Sequence, residues 1–197
     1  MTVIKDGAGT SLLARVDTQN RLHTATISQQ EIAHTSVHDQ LAFSVIGTTV
    51  ITASVEKTVL ILINNPTSLN TIAIGGLRIS LQGDTLHPAT FKGYIGRSTY
   101  TVGGTAQTPV NISANSKNSL DVLAYSDNPT LGGSDTQFQQ SFQEFTTTLD
   151  FGIDGAIILP PSSSIRFTVT GDASAVGTKT AFVRILYYAV DMALHDQ

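Results

Sequence analysis

"TKTAFVRILYYAVD" (Thr178–Asp191) decides the fold. It contains neither Gly nor Pro, and β-branched and aromatic residues, which fit a pleated strand, recur along it. Side chains alternate between the two faces of a strand. Ala181, Val183, Ile185 and Tyr187 therefore point one way, and Phe182, Leu186, Tyr188 and Val190 the other. A strand that is apolar on both sides has one face on a core and the other on something further, here either the N-terminal segment or another subunit. Phe182, Leu186 and Tyr188 are the oligomer-interface candidates on this pattern.

The same period continues upstream. "AIILPPSSSIRFTVTGD" (Ala156–Asp172) reads as a strand, a proline corner and a second strand, with Ile165, Phe167 and Val169 opposite Arg166, Thr168 and Thr170. "TVLILIN" (Thr58–Asn64) is continuously apolar, as in a strand covered on both faces, and Asn64, Asn65 and Pro66 end it. "LRISLQGD" (Leu77–Asp84) alternates into a turn at Gly83 and Asp84. "FKGYIG" (Phe91–Gly96), "PVNIS" (Pro109–Ser113), "SLDVLAY" (Ser119–Tyr125) and "FTTTLDFG" (Phe145–Gly152) add short strands. "DNPTLGGSD" (Asp127–Asp135) reads as a loop. Eight or more strands separated by turn signals predict an all-β protein, a jelly-roll-like β-sandwich over residues 41–197.

Residues 1–40 read differently, as an extended N-terminal attachment arm. Leu12, Leu13, Val16 and Leu22 are scattered anchors rather than a periodic face, and "VDTQNRL" (Val16–Leu22) suggests strand–turn–strand. Ser28 and Glu31 match a capping box, so Ser28–Leu41 is either a short helix or another extended connection.

Composition bounds the function. Charged residues are 13% of the 197, against a usual share of about 25%, and 27 Thr and 18 Ser supply the polar surface instead. Such a surface is cheap to desolvate against a partner, which suits a chain that lives in an assembly. A net charge of −4 argues against nucleic-acid binding. The absence of Cys removes disulfides, thiolate nucleophiles and zinc–thiolate sites. No apolar run is long enough to span a bilayer and no signal peptide is visible, so a soluble protein made in the cytoplasm, with no membrane partner, is expected.

No chemical motif stands out. His34 and His38 have i, i+4 spacing, but Thr35, Ser36 and Val37 between them lack the Glu of a metalloprotease helix. No Ser lies in Gly-x-Ser-x-Gly, and "GGTAQT" and "LGGSDT" lack the Lys of a phosphate loop. The Asp residues mostly flank turns. No enzymatic activity, cofactor or metal is therefore expected. A carbohydrate-binding module acting through Tyr94, Tyr100 or Tyr125 is a competing reading.

"KDGAGTSLLARVDTQNRLHT" (Lys5–Thr24) carries a resemblance. Asp6, Gly7 and Gly9, followed by Ala14–Asp17 and Arg21–Thr24, resemble the start of structural proteins of tailed bacteriophages, above all capsid decoration (cement) proteins. The resemblance implies a virion protein on the capsid surface, made in the host cytoplasm. Its partners would be the major capsid protein and copies of itself, as a homotrimer. On this reading Leu12, Leu13, Arg15, Val16, Arg21 and Leu22 contact the capsid or a neighbouring subunit. A tail, baseplate or fibre-anchoring role is the alternative within the same class.

Overall fold

The computed structural model describes residues 3–5, 13–16, 22–23, 40–83, 88–113, 116–143, 148–173 and 179–190, and every regular element among them is a β-strand. In the N-terminal segment, β1 (Val3–Lys5), β2 (Leu13–Val16) and β3 (Leu22–His23) pair antiparallel with one another. Of the strand–turn–strand expected across Val16–Leu22, the two strands are paired, with Val16 facing Leu22 and Arg15 facing His23, and the turn lies outside the described residues. The segment is thus a small meander whose strands satisfy each other's backbone groups, rather than one extended run. The helix considered for Ser28–Leu41 falls, up to residue 39, outside the described residues.

From residue 42 the chain runs through β4 (Ala42–Ile51), β5 (Glu56–Asn64), β6 (Thr71–Gly83) and β7 (Ala89–Gly96). An insertion over residues 97–134 follows, with β8 (Thr99–Val102), β9 (Thr105–Ala106), β10 (Val110–Asn111), β11 (Val122–Ser126) and β12 (Thr130–Gly132). The main path resumes with β13 (Asp135–Gln143), β14 (Thr148–Leu159), β15 (Ser164–Gly171) and β16 (Lys179–Val190).

Without the insertion, the other eight strands pair as one long hairpin rolled up on itself. The first meets the last (β4 with β16), the second the seventh (β5 with β15), the third the sixth (β6 with β14) and the fourth the fifth (β7 with β13). Pairing of β16 with β6 and of β15 with β7 completes two antiparallel sheets, ordered β10-β4-β16-β6-β14 and β13-β7-β15-β5-β11-β9. This is the jelly-roll form of the β-sandwich, as the strand periodicity led us to expect.

The core lies between the sheets. β16 sends Ala181, Val183, Ile185 and Tyr187 into it, meeting Phe43 and Val45 from β4, Leu60 and Leu62 from β5, and Ile165, Phe167 and Val169 from β15. Burying each large aliphatic side chain contributes roughly 1.5–3 kcal/mol. At Gly47 the sheets approach closely, because a Cβ there would lie 2.6 Å from the Val59 carbonyl oxygen and 2.7 Å from Leu60 Cβ.

The insertion closes one side of the sandwich. β10 extends the first sheet beyond β4 at Phe43 and Ser44, while β11 and β9 extend the second beyond β5 over Leu60–Asn64, so part of each main strand's edge is paired. Asp127–Asp135, expected to be a loop throughout, instead contains β12 and ends where β13 begins, and its first two residues supply the key. Asp127 and Asn128 adopt φ of 57° and 58°, a left-handed geometry that Asn and Asp tolerate. Asp127 Oδ1 accepts a hydrogen bond from Thr49 of β4, and Asn128 grips β5: its Oδ1 accepts from the Thr58 N–H and its N–H donates to the Thr58 carbonyl. Thr58 needs these partners because the β11–β5 ladder ends at Ser126 opposite Leu60, and Asn128 continues it by one more pair.

Two strand readings are corrected. The described part of "FTTTLDFG", from Thr148, and "AIIL" are not separate strands but parts of β14, joined through a register shift between Gly152 and Ile157, while residues 145–147 lie outside the described residues. The segment after "DNPTLGGSD", for which no strand is expected from its pattern, forms β13.

Candidate functional site

The solvent-facing side of the β10-β4-β16-β6-β14 sheet is the first candidate, and register builds it. One rung crosses Ile46 of β4, Arg184 of β16, Arg78 of β6 and Asp150 of β14. The next carries Thr48, Phe182, Ser80 and Thr148, and the one on the other side Ser44, Leu186, Gly76 and Gly152. Ile46 is 52% exposed and Val50 47% exposed, while Phe182 and Leu186 are half-buried. A shallow depression of about 240 Å³, lined by Ile46, Arg78, Ser80, Gln82, Phe182 and Arg184, lies at the centre.

Charge on this face is unbalanced. Arg78 donates from Nε and Nη2 to the two carboxylate oxygens of Asp150, at 2.5 and 2.9 Å. That bidentate contact, with the added charge of Arg184, holds the Asp150 carboxyl below its ordinary range, and the same contact raises Arg78. Arg184 stands opposite Arg78 and donates from Nε to Ser44 Oγ at 2.9 Å. The rung thus holds two guanidinium groups and one carboxylate, which is bound to Arg78 alone.

The three interface candidates of β16 part company here. Phe182 and Leu186 belong to the patch. Tyr188 does not: it is 3% exposed, packed over Ala42 and Ala73, its partners on β4 and β6, with Val190 alongside. The small alanines leave room for its ring. In the N-terminal segment, Leu13, Arg15 and Val16 fall in β2 and Leu22 in β3, while Leu12 and Arg21 lie outside the described residues. Pattern reading passed over Ile46 and Val50, although "SVIGTTV" (Ser44–Val50) shows the two-faced apolar pattern that singled out β16. It also passed over Arg78 and Arg184, whose meeting depends on register.

The tyrosines considered for sugar binding are engaged within the chain. Tyr100 and Tyr125 stack on each other with centroids 3.7 Å apart. Tyr94 carries the Arg166 guanidinium 4.4 Å above its ring and donates its hydroxyl to Glu56.

No family model matches this chain, and no curated protein sequence does. Among solved structures it is similar to the T13 particle of infectious bursal disease virus (11% identity, TM-score 0.22, covering 89% of this chain and 39% of that one). It is also similar to the Gx strain of that virus (10%, TM-score 0.18, 92% and 47%) and to its VP2 subviral particle (8%, TM-score 0.17, 76% and 41%). The chain spans less than half the length of each of these structures.

Proposed function

We propose that this protein is a non-enzymatic structural component of a bacteriophage virion, a capsid decoration protein. On this reading it associates with copies of itself through the outer face of the β4–β16–β6–β14 part of its first sheet, and residues 1–40 attach it to the shell. One observation carries the proposal: Ile46, Phe182 and Leu186, with Val50 further along β4, lie beside two opposed arginines that have one bound carboxylate between them.

An isolated domain leaves those apolar side chains partly in water and sets Arg184 opposite a like charge. Covering the apolar side chains in a closed symmetric oligomer removes them from water, and a neighbour's carboxylate can take the second arginine. The chain's net charge of −4 provides such groups on every copy. The Lys5–Thr24 resemblance to phage decoration proteins supports the same reading. A short meander carrying Leu13, Arg15, Val16 and Leu22 makes a modest contact by itself, but repetition around an oligomer multiplies it through avidity.

Co-sedimentation of the full chain with undecorated capsids tests the reading. Binding should fall when Arg15 and Arg21 are both replaced by Glu, and should fall independently for Phe182→Asp. Binding unchanged by either alteration would refute it.

A further inference from the structure

A second site lies on the opposite sheet, independent of the association surface above. The insertion roofs only part of the outward face of β5, β7 and β15. Near the end of β12, at Gly132 and Gly133, a cleft of about 320 Å³ opens, within the range of small-molecule sites (~300–1,000 Å³). Its polar wall is built from Glu56, Ser98, Asp135, Arg166 and Thr168, and Pro129 and Leu131 line it too.

These polar side chains are already held in place. Glu56 accepts hydrogen bonds from Lys92 Nζ, Tyr94 OH and Thr168 Oγ1, each at 2.8 Å. Asp135, with its side chain 5% exposed, accepts from Arg166 Nε at 2.8 Å and from Ser98 Oγ. Arg166 is further fixed by its seat on the Tyr94 ring. Its terminal nitrogens make no hydrogen bond among the described residues. A carboxylate offers about four acceptor positions, so Glu56 with three bonds and Asp135 with two keep capacity for a ligand.

We propose that this cleft binds a neutral saccharide unit. Two carboxylates, Glu56 and Asp135, are balanced by two cations, Lys92 and Arg166, so the site has no net charge with which to select an ion. It offers fixed donors on Arg166 beside fixed acceptors on Glu56 and Asp135. A sugar hydroxyl, which both donates and accepts, matches that pairing. The cleft wall is almost wholly polar, with half-buried Leu131 its small apolar edge, so recognition rests on hydroxyl hydrogen bonds. Because the side chains are ordered before binding, little rotamer entropy is lost on complex formation. Burial pushes the Glu56 carboxyl up, but its hydrogen bonds from Lys92, Thr168 and Tyr94 outweigh this and leave it below the ordinary range, so it remains an ionised acceptor at neutral pH.

Saturation-transfer NMR on the full chain tests the proposal, using glucose, galactose, mannose, N-acetylglucosamine, maltose and lactose, with sialic acid and inorganic phosphate as charged probes. At least one neutral sugar should bind at millimolar concentration. Its affinity should drop about tenfold in Glu56→Gln and in Arg166→Met, the scale of losing a hydrogen bond to a charged group, and should not change in Phe182→Asp. Should Arg166→Met fail to fold, Leu131→Trp, which fills the mouth without touching an ion pair, takes its place. Three results would overturn the site: no transfer to any neutral sugar, transfer undiminished in the cleft variants, or a preference for sialic acid or phosphate.

Discussion

Arg184 and Arg78 face each other across the β16–β6 ladder, and the Asp150 carboxylate is bound to one of them and feels the charge of both. Like charges directly opposite on neighbouring strands are destabilising. The Arg78–Asp150 pair offsets that repulsion in part, and the remaining imbalance suits a neighbour that brings a second carboxylate.

Arg184→Ala separates the two roles. The lost Ser44 contact and the relieved repulsion act in opposite directions on a solvent-exposed site, so folding stability should stay within about 0.5 kcal/mol of the parent. Self-association should weaken. Urea unfolding at low protein concentration, paired with sedimentation velocity, measures both.

Asn128 should matter far more than its exposure suggests. Asn128→Ala strips the Thr58 N–H of its partner and puts Ala at a φ of 58°, and together these should cost about 2–4 kcal/mol. Asn128→Gly keeps the backbone geometry accessible and loses only the side-chain bond, so it should cost visibly less. Thermal or urea unfolding of the two variants gives the comparison.

Tyr187 is the reverse case. Its hydroxyl is buried in the core with no hydrogen-bond partner among the described residues, and burial alone pushes its pKa far up. The ring is retained in Tyr187→Phe, stacked on Phe43 as before. Removing an unsatisfied buried group should leave stability equal or raise it by about 1 kcal/mol. A clear loss in urea unfolding would mean that the hydroxyl has a partner after all.

Acid should weaken the fold through identifiable carboxyls. Glu56, Asp121 and Asp150 are all held below their ordinary range: Glu56 by hydrogen bonds that overcome its burial, Asp121 by Thr67 and Asn65, and Asp150 by Arg78. A carboxyl with a lowered folded pKa adds stability that is complete above its unfolded value, about 4, and is lost as pH falls through the folded one. The urea midpoint should hold from pH 7 to about 5 and then decline. Glu56→Gln should lower the plateau slightly and make the decline shallower.

Much of this architecture was legible in the chain. β15 and β16 follow period two with long β-branched and aromatic runs, and β5 reads as a doubly covered strand. β14 was cut in two because its register shifts past Gly152 interrupt the alternation. β13 escaped notice because "DTQFQQSFQ" is mainly polar, and a strand at the edge of its sheet needs no continuous apolar face. The strands of the insertion run for only two to five residues, too few to show a period. For the surface, alternation assigns a side but not what covers it. It could not separate Phe182 and Leu186, which face outward, from Tyr188, whose ring is covered once Ala42 and Ala73 are brought alongside. The Arg78–Arg184–Asp150 rung and the cleft around Glu56 and Arg166 join distant parts of the chain and exist only after the sheets form.

The central claim is that the outer face around Phe182 joins copies of this protein. Light scattering coupled to size exclusion, on the parent chain and on Ile46→Asp/Phe182→Asp, tests it most directly. The account predicts a discrete oligomer for the parent, a trimer on the resemblance to decoration proteins, and a folded monomer for the double variant. A monomeric parent at high concentration, or an oligomer that survives both substitutions, would contradict it.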